Sequence, residues 1–268
     1  MSRSRVVAEH LPSLRRHARA LTGSQSCGDA YVAATLKALL PDPSILDQSR
    51  GPRAGLFRLF TRTWNSLSFT DDAGVVSLPT PPERRLSNMT PLPRQAFLLL
   101  SLEGFSAEDT AYILRCDVGE ALRLADEAGS EMAAEIATDV LIIEDETFIA
   151  MDLESLVSGL GHRVVGVART HLDAVALAKN RRPGLILADI QLADGSSGLE
   201  AVNDLLRNFE VPVVFITAYP ERFLTGERPE PAFLISKPFQ PETVSAVVSQ
   251  ALFFQRNSRN RVPRAPAA

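Results

Sequence analysis

The sequence predicts two architectures in one chain. An all-α N-terminal region of two helical subdomains precedes an α/β region built as a doubly wound, five-stranded parallel sheet. Three observations predict this. Apolar residues before residue 138 recur at helical spacing, with no strand pattern among them. From residue 140 onward, five short apolar runs alternate with helical stretches, the pattern of parallel strands joined by right-handed crossovers. The charge is also uneven: residues 1–70 carry +6, residues 71–138 carry −7 and residues 139–255 carry −7, within a total of −4.

In the first part, Leu11, Leu14, Ala18 and Leu21 keep helical spacing up to a break at Gly23. A second helix is expected over residues 28–40, closed by Pro41 and Pro43, and a third over residues 55–68, which carries Trp64. These make residues 1–69 the first subdomain. Residues 70–92 read as a linker, with Asp71, Asp72, Gly74 and several prolines but no sustained period. Residues 93–137 form the second subdomain as a helix-turn-helix. One helix runs from Arg94 to Glu103, a second from Ser106 to about Arg115, and a last over residues 120–137. Ser106 and Asp109 have the spacing of a capping box.

In residues 139–255, strands are expected at 140–143, 164–167, 185–188, 213–216 and 233–235. Helices are expected at 148–160, 171–180, 198–208 and 241–255. Residues 220–231 hold Pro220, Gly226, Pro229 and Pro231 and are poor material for a helix. Residues 256–268 read as a disordered tail. No apolar run is long enough to cross a bilayer and no secretory signal is visible, so a cytoplasmic location is expected. Cys27 and Cys116 have no metal-binding spacing and read as small buried hydrophobes in a reducing compartment.

Polar residues that end parallel strands share one rim of the sheet, where ligands of such folds bind. Glu144, Asp145 and Glu146 follow the first strand, Asp189 the third, Thr217 the fourth and Lys237 the fifth. Carboxylates gathered there repel one another, and Mg²⁺ (or Mn²⁺), which prefers carboxylate and carbonyl oxygens, relieves that repulsion. One carboxylate is then placed to attack a phosphoryl donor, while a lysine and a hydroxyl stabilise the transferred charge. An Asp at a strand end is ordinarily a helix cap. All four elements in order on alternating strands are far more specific.

On the motifs Ile143-Glu-Asp, Ala188-Asp-Ile, Ile216-Thr-Ala and Ser236-Lys-Pro-Phe, residues 139–255 resemble a receiver domain of two-component response regulators. The resemblance implies Asp189 as phosphoacceptor. Glu144, Asp145, Asp189 and the Gln191 carbonyl would hold the metal, with Thr217 and Lys237 contacting the phosphoryl group. It implies no enzymatic activity beyond phosphoryl transfer to itself from a sensor histidine kinase or phosphotransferase. The aromatic that many receivers place three residues before the lysine is Leu234 here, and Tyr219 is the alternative movable ring. A phosphatase with an Asp-x-Asp nucleophile pair is excluded, since Asp189-Ile-Gln lacks the second Asp.

The helix-turn-helix resembles the fourth region of extracytoplasmic-function sigma factors, and residues 10–68 resemble their second region. Over residues 116–137, however, Arg123 stands alone against six carboxylates, which repels a DNA backbone. The sigma-like part before the receiver resembles the PhyR-type response regulators of the alphaproteobacterial general stress response. That resemblance implies an anti-anti-sigma factor. Phosphorylation of Asp189 would loosen an intramolecular contact between the sigma-like part and the receiver, so that an anti-sigma protein of the NepR type is sequestered and a stress sigma factor is freed. Arg53, Arg58 and Arg62 are candidate contacts to that partner. The alternative is a phosphorylation-controlled transcription factor that binds DNA through the helix-turn-helix.

Overall fold

The computed structural model describes residues 3–69, 90–133, 137–192, 195, 197–226 and 230–259. The chain divides into two compact units. The first comprises Met1–Glu131 together with Glu221–Ala232; the second comprises Met132–Pro220 with Phe233–Ala268. Most of the predicted linker, residues 70–89, lies outside the described residues.

The helical unit opens with α1 (Arg3–Thr22), which begins earlier than the apolar spacing suggested and contains Pro12. Its buried face carries Leu14, Ala18 and Leu21, as the periodicity required. Ser24 then caps α2 (Gln25–Leu39), its Oγ accepting from the Cys27 amide at 3.4 Å. That cap explains why the helix starts three residues before the predicted position. α3 (Pro52–Phe69) buries Leu56, Phe57, Phe60 and Trp64. The second subdomain holds α4 (Leu92–Ser101), α5 (Ala107–Leu114) and α6 (Val118–Ala133). Ser106 caps α5 as predicted, accepting from the Asp109 amide at 3.1 Å, but Asp109 does not complete the box. Its carboxylate pairs with Arg50 at 2.7 Å instead. Both cysteines are half-buried, so the expectation of buried thiols is corrected.

A charged centre ties this unit together. The Glu103 carboxylate, with no exposed side-chain surface, accepts from Arg16 of α1 at 2.9 and 3.1 Å and from Arg53 of α3 at 3.1 Å. A carboxylate can be withdrawn from water like this only where cations repay its lost hydration. Burial alone would raise the Glu103 pKa, but Arg16, His17 and Arg53 outweigh it and hold the group below its ordinary value. Arg53, one of the predicted partner contacts, is therefore engaged inside the unit, and Arg58 donates to the Tyr112 carbonyl at 2.8 Å.

His17 sits beside this centre, its ring 5.2 Å from that of Phe57. Burial, reinforced by Arg16 and Arg53 against the pull of Glu103, lowers its pKa from 6.5 to about 4. A histidine with a lowered folded pKa takes up protons more readily when unfolded. Its contribution is therefore fully present above pH 6.5 and is lost as pH falls toward 4. We expect acidification across that window to cost up to about 3 kcal/mol through His17. A His17→Gln chain should show a flatter stability profile between those limits by urea denaturation. An unchanged slope would rule out His17 as its source.

The α/β unit alternates β1 (Asp139–Ile143), α7 (Thr147–Gly159), β2 (Arg163–Ala168), α8 (His171–Asn180), β3 (Leu185–Asp189), α9 (Gly198–Leu206), β4 (Val213–Thr217), β5 (Phe233–Ser236) and α10 (Pro241–Arg259). The strands form one parallel sheet in the order β2-β1-β3-β4-β5. β1 and β3 are buried nearly throughout, which is why they read as continuous apolar runs rather than alternating ones. Residues 220–223 form a short 3₁₀ turn where many such sheets carry a helix, as the prolines there required. The predicted disordered tail is corrected at its start: α10 continues through Arg259, because no proline or glycine interrupts it until Pro263. Residues 260–268 lie outside the described residues.

Candidate functional site

Strand register assembles the site. β1 and β3 run side by side with Ile143 opposite Ala188, so the next residues, Glu144 just past β1 and Asp189 at the end of β3, lie at the same edge of the sheet. β3 sets Asp189 opposite Ile216, one residue before Thr217, and β4 sets Thr217 opposite Ser236, one residue before Lys237. The strand order reverses between β1 and β3, the topological switch point where ligands of open α/β sheets bind.

The Lys237 ammonium joins these strand ends. Its Nζ lies 2.6 Å from Asp189 Oδ2, 2.9 Å from Glu144 Oε2 and 3.3 Å from Glu146 Oε1. Glu146, one of the rim carboxylates named from the sequence but given no role by the resemblance, thus also reaches the ammonium. Asp189 Oδ1 accepts from the Gln191 amide at 3.1 Å, and Glu144 Oε1 from the Glu146 amide at 3.1 Å. Thr217 is buried; its Oγ1 accepts from the Tyr219 amide at 3.2 Å, and its carbonyl accepts from the Lys237 amide at 2.8 Å. The Tyr219 side chain is itself exposed. A side chain at Gly198 would place its Cβ 1.8 Å from the Asp189 carbonyl oxygen, so only glycine allows α9 to start this close to Asp189.

The electrostatics follow from burial and crowding. Burial pushes the Glu144 carboxyl above its ordinary range; Lys237 opposes this and the Asp189 charge adds to it. For Lys237, burial works against the ammonium, but its hydrogen bonds and charge pairing with Asp189 and Glu144 prevail and raise its pKa. One oxygen from each of Glu144, Asp145 and Asp189 lies within 4.8 Å of the others. That all-oxygen set suits a hard divalent cation. For Gln191 the hydrogen bond that places it is the one from its amide; its carbonyl was the atom predicted for the metal.

The helical unit bears on the DNA alternative. Along α6, Arg123 is bound by Glu120 at 2.7 and 2.8 Å and by Glu127 at 3.0 Å. The sole cation of that helix is thus already neutralised by two exposed carboxylates, which leaves an acidic face.

Comparison with known proteins covers nearly the whole chain. Residues 7–61 match a family model described as the Sigma2 domain of PhyR, and residues 86–135 one described as the sigma-like domain of response regulator PhyR. Residues 140–249 match the response regulator receiver domain. The phyllosphere-induced regulator PhyR of Methylorubrum extorquens is 66% identical over 97% of this chain and 98% of its own length. The crystal structure of the anti-anti-sigma factor PhyR from Bartonella quintana is 49% identical over 97% of this chain and 99% of that one, with a TM-score of 0.87. The response regulator PhyR from Brucella abortus is 50% identical over 97% of each chain, with a TM-score of 0.86.

Proposed function

This chain belongs to the PhyR family of response regulators, and on that premise we propose that it is an anti-anti-sigma factor switched by phosphorylation of Asp189. The observation that carries the switch is the Lys237 ammonium 2.6 Å from Asp189 Oδ2, on a strand register that also delivers Glu144 and Thr217. Asp189 attacks the phosphorus of a phosphohistidine on a sensor kinase or phosphotransferase. The N–P bond breaks, an acyl phosphate forms on Asp189, and the leaving imidazole takes a proton. Mg²⁺ or Mn²⁺, held by Glu144, Asp145, Asp189 and the Gln191 carbonyl, supplies charge neutralisation when bound. Lys237 pairs with the new phosphoryl oxygens, and the Thr217 hydroxyl turns toward them.

The output is release of the sigma-like helices to hold a small anti-sigma protein of the NepR type, which frees a stress sigma factor. The acidic face of α6 argues against DNA as the output. No helix among the described residues is long and apolar enough to cross a membrane; a cytoplasmic location is part of the proposal. The test is titration of a NepR-type anti-sigma protein with the full chain, with and without acetyl phosphate and Mg²⁺. We expect affinity to rise by roughly two orders of magnitude if phosphorylation converts a sparsely open chain into a fully open one. Equal affinity in both conditions would sink the reading, as would promoter DNA binding stimulated by the phosphodonor instead.

A further inference from the structure

Three arginines drawn from both helical subdomains line one cavity of about 210 Å³ in the helical unit. Arg58 and Arg62 come from α3, and Arg115 closes α5. Asp47 is the one carboxylate among the described residues that line it, so three guanidiniums and one carboxylate leave a formal +2 there.

The walls are held in place by their own contacts. The Arg58 guanidinium stands 4.2 Å from the centre of the Tyr112 ring and donates to the Tyr112 carbonyl at 2.8 Å. That fixes its plane, and a guanidinium has more N–H donors than this one bond uses. The Tyr112 hydroxyl donates to the Asp47 carbonyl at 3.2 Å and so ties α5 to the loop before α3. A Cβ at Gly55 would stand 1.9 Å from the same carbonyl oxygen, so glycine lets α3 pass close to that loop.

Arg115 supplies a second, independent observation. Its φ of +62° makes it the one non-glycine residue with positive φ among the described residues. Helices that end on a left-handed residue ordinarily place glycine there, because a Cβ is disfavoured in that conformation. Here the backbone accepts the cost and sets a long cation at the cavity. Neither Arg62 nor Arg115 has a carboxylate partner among the described residues, unlike Arg16, Arg19, Arg53 and Arg123. Asp117 is committed elsewhere, its Oδ1 accepting from the Glu120 amide at 2.8 Å in the first turn of α6.

We propose that this cavity binds a small phosphate-class anion, inorganic phosphate or a diphosphate, which clamps α3 to the end of α5. Guanidiniums hold phosphate oxygens in bidentate pairs, and an anion relieves the repulsion among cations gathered in one place. The volume favours a small anion over a nucleotide, since sites for drug-sized ligands run from about 300 to 1,000 Å³. The site is independent of Asp189 and its chemistry.

Calorimetric titration of the full chain with phosphate and, separately, with pyrophosphate tests this. Low salt sharpens the electrostatics, and EDTA removes any divalent metal that would draw the anion to the receiver site. At least one of the two anions should bind once per chain with a dissociation constant below roughly 1 mM. Arg62→Gln and Arg115→Gly should each weaken it roughly tenfold or more, the loss of a charge-assisted contact. Arg115→Gly should fold as well as the wild-type chain, because glycine suits that φ, so weaker binding there reports on charge. The bound anion should also move the urea midpoint of the helical unit to higher denaturant in the wild-type chain, and far less in either variant. Dissociation constants above roughly 1 mM for both anions would overturn the site, as would unchanged affinity in either variant. Duplex DNA that bound through Arg62 and Arg115 where neither anion did would assign the cavity to a nucleic-acid backbone and overturn the small-anion site.

Discussion

The Asp189→Asn chain will take no phosphoryl group from acetyl phosphate, and its affinity for the anti-sigma protein will not respond to the phosphodonor. The amide nitrogen has no charge with which to attack phosphorus, and the site offers no second carboxylate in the same register position. Folding should survive, because Lys237 keeps Glu144 at 2.9 Å and Glu146 at 3.3 Å. The loss therefore reports on chemistry. If partner affinity converts from a mostly closed to a mostly open population, the response removed is ~3–5 kcal/mol of differential stability. Intact-mass measurement checks the first half of the expectation and calorimetric titration the second. A phosphoryl mass gain in Asp189→Asn would place the acceptor elsewhere.

The other large effect lies in the helical unit. Glu103→Ala should destabilise it by about 3 kcal/mol, because Arg16 and Arg53, both partly withdrawn from water, would lose the fully buried anion they share. Arg53 has some compensation, since its guanidinium also donates to the Glu103 carbonyl at 2.7 Å and lies 4.2 Å from the Phe105 ring centre. Arg16 also donates to the Leu102 carbonyl at 3.3 Å. Urea denaturation followed by circular dichroism should show the helical transition moving to lower denaturant while the α/β transition stays in place. An Arg16→Ala, Glu103→Ala double variant should lose less than the two single losses added together, since the pair acts as one unit. A loss under about 1 kcal/mol for Glu103→Ala would mean that water reaches the two arginines and replaces the carboxylate.

Much of this was legible in the residues, for reasons that differ by element. The grouping of the rim residues could be read because parallel strands deliver their terminal residues to one rim, so order along the chain becomes adjacency in space: Glu144, Asp189, Thr217 and Lys237 needed only the strand order. The caps at Ser106 and the stop near Pro41 are local and equally readable. Destinations of charge were not. Arg53 looked like a surface cation, yet it closes on Glu103, fifty residues away. The prolines at 220, 229 and 231 showed that no helix forms there, but nothing local indicates that Glu230 meets Arg19, 211 residues distant. Charge pairing over such separations depends on the finished fold, and periodicity carries no trace of it.

Phe223, Leu224, Glu230 and Pro231, which Arg15 and Arg19 bind, belong to the same chain as those arginines, which gives the contact a thermodynamic character that a free ligand lacks. A tethered ligand competes at an effective concentration set by its linkers, in the millimolar range for short ones, whatever the amount of protein in solution. An outside competitor at micromolar concentration would need to bind about a thousandfold more tightly merely to draw level. Dilution or overproduction of the chain leaves that threshold untouched.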